Sequence, residues 1–85
     1  MTFHFSKHVR EELEKRKISQ PLLEQALQSP QQKMPEPDDI TCYQSQVEID
    51  GKRYLLQAMV NEAVTPHVVV TVYRTSKISK YWRES

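Results

Sequence analysis

The sequence predicts an α+β domain: two N-terminal helices packed on an antiparallel meander sheet of three to four strands. Three observations predict it. Apolar residues recur at helical spacing in the first third of the chain. They alternate with period two in three later runs. The last two of those runs are apolar on both faces, so helices must cover one side of the sheet. At 85 residues the chain is a single domain, 1–85.

Phe3 and Phe5 alternate with Thr2 and His4, as in a short strand with one buried face. Ser6 then caps a helix to about Arg16, its hydroxyl accepting from an orphan amide of the first turn. Val9 and Leu13, with Ile18 just beyond, make a narrow apolar stripe, so most of this helix is wet. Ser19 caps a second helix, Pro21 is tolerated in its first turn, and Leu22, Leu23, Ala26 and Leu27 form its apolar face. Ser29-Pro30 ends it.

Gln31 to Asp39 is polar, contains Pro35 and Pro37, and reads as an extended connector. Ile40 to Ile49 is a strand, and Asp50-Gly51 is the strongest hairpin signal. In the strand Arg53 to Val60, Tyr54, Leu56, Ala58 and Val60 share one face and Leu55 and Met59 the other. Asn61 to Pro66 turns the chain into a β-branched strand, His67 to Arg74, placed at the centre of the sheet. Thr75 to Ser85 is a basic, aromatic tail with a last helical turn.

Composition removes several function classes. One glycine excludes a phosphate-cradling glycine loop, and the single Cys42 excludes an internal disulfide or a CxxC pair. No apolar run approaches a membrane span, and Met1 to Phe5 leads into charged residues without an apolar leader, so the expected location is the reducing cytoplasm. The 12 basic residues nearly cancel the 11 acidic ones, but unevenly along the chain. Glu36 to Asp50 holds five acidic residues and no basic one; Arg74 to Ser85 holds Arg74, Lys77, Lys80 and Arg83 against Glu84. Cations interleaved with Tyr73, Tyr81 and Trp82 suit phosphates and stacked bases; they equally suit a solvated tail pinned to the core by its rings.

Two helices before strands suggest a winged helix-turn-helix, but the second helix has no Lys or Arg to meet phosphates. Pro37-Asp38 with Asp50-Gly51-Lys52 spells a metal-nuclease pattern, yet Asp50-Gly51 belongs to a hairpin tip. His4, His8 and His67 lack metal-ligand spacing, so no metal or cofactor is expected. His8 lies among Lys7 and Arg10, where a titratable group can act on a phosphate.

Phe5-Ser6-x-His8 followed by Arg16-x-Ile18-Ser19, and the closing Thr71-Val72-Tyr73-Arg74-Thr75-Ser76-Lys77-Ile78-x-Lys80-Tyr81, resemble the two ends of a family of small bacterial proteins of unknown function. That family is distantly similar to RelE/ParE-like toxins and to the barnase, EndoU, colicin and RelE-like ribonuclease fold. Lys17 departs from it, standing where a glycine is common. The resemblance implies a toxin-like, metal-independent RNA-binding or RNA-cleaving domain. The implied catalytic residues are His8 for proton transfer and Tyr81 for orienting the substrate, with Arg16, Arg74 and Lys77 binding its phosphates. The alternative is a non-catalytic ParE-like module that binds a protein. The implied partners are RNA, a cognate antitoxin or other protein, and a second copy in a homodimer; a membrane is not among them.

Overall fold

The computed structural model describes residues 3–83, which leaves Thr2 and the last two residues of the tail outside it. The elements are β1 (Phe3–Phe5), α1 (Lys7–Lys15), α2 (Gln20–Gln28), β2 (Gln32–Glu36), β3 (Ile40–Ile49), β4 (Lys52–Asn61), β5 (His67–Thr75) and α3 (Ile78–Tyr81). Both expected caps form: Ser6 Oγ accepts from the Val9 amide at 3.2 Å and Ser19 Oγ from the Leu22 amide at 3.3 Å. Between the helices the Lys17 amide donates to the Glu14 carbonyl and the Ile18 amide to the Leu13 carbonyl. This is a Schellman turn with Lys17 in the left-handed region at φ 54°. Ile18 and Leu13 are both buried in the core, supplying the apolar contact that accompanies such a turn.

The sheet has five strands, not three to four, in the order β1-β5-β4-β3-β2, and three further expectations are corrected by it. It is mixed rather than an antiparallel meander, because β1 pairs parallel with β5. The connector contains a strand: β2 pairs antiparallel with β3 from Gln32↔Gln44 to Glu36↔Ile40. Asp38 and Asp39 close that hairpin with φ of 63° and 62°, a left-handed pair that Asp tolerates better than most residues. The centre of the sheet is β4, and β5 lies between it and β1. The expected turn at Asp50-Gly51 is present, with φ of 52° and 77°.

One irregularity governs which side chains meet. Val60 pairs with Val69 while Met59 pairs with Thr71, so Val70 is an extra residue, a β-bulge. Strict alternation would put Val69 and Val72 on opposite faces. The bulge turns both inward, and both are fully buried against Leu56, Ala58 and Val60. His67 and Arg74, seven residues apart, therefore share the face that the helices cover.

On that face Val9 and Leu13 of α1 and Leu23, Ala26 and Leu27 of α2 meet Tyr43, Leu56, Ala58, Val60, Val69 and Val72. The chain after β5 crosses the other face as a strap. Gln46 borders a groove shared with Ser76 to Ser79 and Trp82. At its far end the Arg83 backbone bonds to the Gln32 side chain through both its carbonyl and its amide. Leu55, Cys42 and Gln44 are buried on this face. Burial raises the Cys42 thiol to about 11, with the Glu36 charge adding to it.

Candidate functional site

The two ends of the sheet differ in chemistry. At the end where β5 finishes and β4 begins, guanidinium groups lie on tyrosine rings. Arg74 stands 4.6 Å over the Tyr54 ring, and Lys52 approaches the same ring at 5.7 Å. Arg16, following α1, stands 5.2 Å over Tyr73. It reaches that ring past the open edge of β5, which β1 covers only from His67 to Val69. Among the described residues the ion pairs are Arg16–Glu12 and Lys33–Glu62, so Arg74 meets a ring and not a carboxylate. The Arg16 hydrogen bond holds the Glu12 carboxyl below its ordinary value. Tyr73 is exposed and Tyr54 half-buried, so ring faces and cations meet solvent together.

Of the residues expected to act together, the structure brings Arg16 and Arg74 to one end of β5. Lys77 follows on the strap, where its amide donates to Thr75 Oγ1 at 3.1 Å. Tyr81, on α3, belongs to the segment that crosses the sheet face opposite the helices, and there its ring meets Lys80 at 5.4 Å. His8 is exposed in the first turn of α1, about 12 Å along the helix axis from Arg16. His8 and Tyr81 thus sit on elements covering opposite faces. The metal-nuclease pattern separates as well: Asp38 and Asp50 occupy the turns at either end of ten-residue β3, about 30 Å apart by strand rise.

The opposite end of the sheet holds a cluster that sequence reasoning missed. Glu62, just after β4, accepts from Thr41 Oγ1 at 2.7 Å, from the Tyr43 hydroxyl, and from Lys33 Nζ at 3.0 Å. These bonds, Tyr43 first and Thr41 next, hold its carboxyl down to about 2. Burial, then the Glu62 bond, raises Tyr43, and the Glu62 bond raises Lys33. Lys33 Nζ also lies 4.6 Å over the Tyr43 ring. Phe3 sets its ring edge-on to both Tyr43 at 6.0 Å and His67 at 5.9 Å. His67 Nδ1 is 2.9 Å from the Val64 carbonyl oxygen, which only accepts, so Nδ1 carries the proton and Nε2 is left for another partner. Leu27, Gln28 and Pro30 complete a cleft of about 240 Å³ over this group. The only sequence signal for Lys33 beside Tyr43 was the β2–β3 hairpin, hidden under two prolines. Glu62 and His67 were read as turn and strand start, and no spacing joined them.

Among the described residues no group of His, Cys, Asp and Glu is arranged to hold a metal, and no helix is long and apolar enough to cross a membrane. The architecture is that of a small α+β domain of unknown function, with two helices on one face of a mixed five-stranded sheet. The chain belongs to the domain family of unknown function DUF4258, which matches residues 5–74. No curated protein and no solved structure matches it.

Proposed function

We propose that this chain is a toxin-like, RelE/ParE-related domain that binds single-stranded RNA without a metal, at the end of the sheet formed by Arg16, Tyr54, Tyr73 and Arg74. The observation that carries the reading is the pair of stacks, Arg16 on Tyr73 and Arg74 on Tyr54, from consecutive residues of β5. Arg74, on the Tyr54 ring with no carboxylate within 4.0 Å among the described residues, keeps its edge free for phosphate oxygens. Arg16, tied to Glu12, packs on Tyr73, whose exposed ring face accepts a base. The order of elements, one strand, two helices, then strands and a short helix, is the order the family resemblance implies. Because His8 and Tyr81 share no cleft, the reading is binding and does not assign them a cleavage step.

The test is fluorescence anisotropy of a labelled single-stranded RNA over a salt series. Affinity falls steeply with salt, and Arg74→Ala flattens the log–log slope by about one. His8→Ala leaves both unchanged. RNA that stays unbound at low salt overturns the reading. It then yields to a ParE-like module binding a protein such as an antitoxin or a second copy, for which the outer edge of β2, paired only with β3, is the supporting observation.

A further inference from the structure

The cleft over Phe3, Tyr43 and His67 lies on the same face as Arg74, because the Val70 bulge brings His67 and Arg74 to one side. About 20 Å of β5 separates them by strand rise. The cleft's charge decides what it can hold. Glu62 is ionised far below neutral pH, and Lys33 sits on it at 3.0 Å, so the two charges cancel. A phosphate placed there meets a carboxylate whose counter-ion is already engaged. A neutral ring meets no such penalty.

The polar groups suit a ring with both a donor and an acceptor on its edge. His67 Nε2 is an acceptor when the imidazole is neutral, since Nδ1–H is committed to Val64. The Lys33 ammonium has three N–H groups, one of which goes to Glu62. Phe3, Leu27 and Pro30 give the ring apolar contact. At about 240 Å³ the cleft is smaller than the roughly 300 Å³ where drug-sized pockets begin, which leaves space for one heteroaromatic ring.

We infer that this cleft is a nucleobase subsite, taking one unstacked base with Nε2 of His67 and Nζ of Lys33 on the base edge and Phe3 beside its face. The inference rests on the RNA-binding reading, whose backbone grip lies at the other end of β5. It adds a base contact at the His67 end of β5, about 20 Å from the backbone grip at Arg74.

Uncharged nucleosides separate the two ideas, because they carry no phosphate for Arg74. In an NMR titration with uridine or cytidine, saturable shifts are expected at Phe3, Tyr43, His67 and Lys33, unchanged by Arg74→Ala. Inorganic phosphate is expected not to compete. His67→Ala is expected to weaken nucleoside binding up to about tenfold, the scale of one lost hydrogen bond. The wild-type titration tests the site without relying on any variant's folding. Absence of saturable shifts, shifts centred elsewhere, or competition by phosphate each overturn the subsite, even if RNA still binds through Arg74. Nucleoside binding in a protein that shows no salt-dependent RNA affinity supports the cleft and overturns the grip instead.

Discussion

The two ends of one sheet face use their cations in opposite ways. Around Glu62, Thr41, Tyr43 and Lys33 all point hydrogen bonds at one carboxylate, and the lysine's charge is spent within the protein. Around Tyr54, Arg74 and Lys52 meet a ring, and no carboxylate lies within 4.0 Å of either among the described residues. A cation on a ring gains about 0.5–1 kcal/mol at an exposed site and keeps its net charge. A cation on a carboxylate loses it. Counting lysines and arginines along the chain does not separate these cases; their partners do.

The sharpest way to break this comparison is to compare cations at the two ends. Arg74→Ala with Lys52→Ala should lower RNA affinity on the order of 10²-fold at low salt and reduce the salt slope by about two, whereas Arg16, bonded to Glu12, should add little to it. Lys33→Ala should leave that slope unchanged, since its charge is neutralised on Glu62. Equal slope losses in the two cases, read by anisotropy, would remove the distinction between the ends.

Next in size is the carboxylate itself. Glu62→Gln should cost about 1.5–3 kcal/mol in chemical denaturation, the range for hydrogen bonds to a charged group. Its folded value of about 2 lies below the ordinary 4.5, so Glu62 contributes stability above about pH 4.5 that is lost as pH falls towards 2. The variant should lack that part of the acid dependence, while Arg74→Ala should retain it.

The strap-covered face gives a third contrast. With its thiol at about 11, Cys42 is only about one part in 10³ thiolate at pH 8, so it should react slowly with a thiol reagent in the native chain. Ending the chain after Ser76 uncovers that face and should speed the reaction; an unchanged rate would mean that the strap does not shield it. The smallest effect belongs to Lys17. Its left-handed backbone at φ 54° is costly for any residue with a Cβ, so Lys17→Gly should stabilise by about 1 kcal/mol without touching either end.

The sequence by itself carried the local structure: the Ser6 and Ser19 caps, the two amphipathic helices, the Asp50-Gly51 turn and the period-two strands all follow from neighbours within four residues. Lys17 was legible only through the family resemblance, as a lysine where a glycine is common; its left-handed backbone is a finding of the structure. Arg16 and Arg74 were named as phosphate contacts only through the family resemblance, and no tyrosine near Arg16 in the chain announces its contact with Tyr73. What the tertiary structure decided was non-local. β2 exists because β3 offers a partner edge, overriding the two prolines that made the segment read as a connector. The Val70 bulge, a product of pairing with β4, set His67 and Arg74 on one face where strict alternation would have parted them. The Glu62 cluster draws on a turn, two strands and a hairpin, joined only by register across the sheet. Periodicity reports which way a side chain points within its own element; it takes the pairing of elements to determine what that side chain meets.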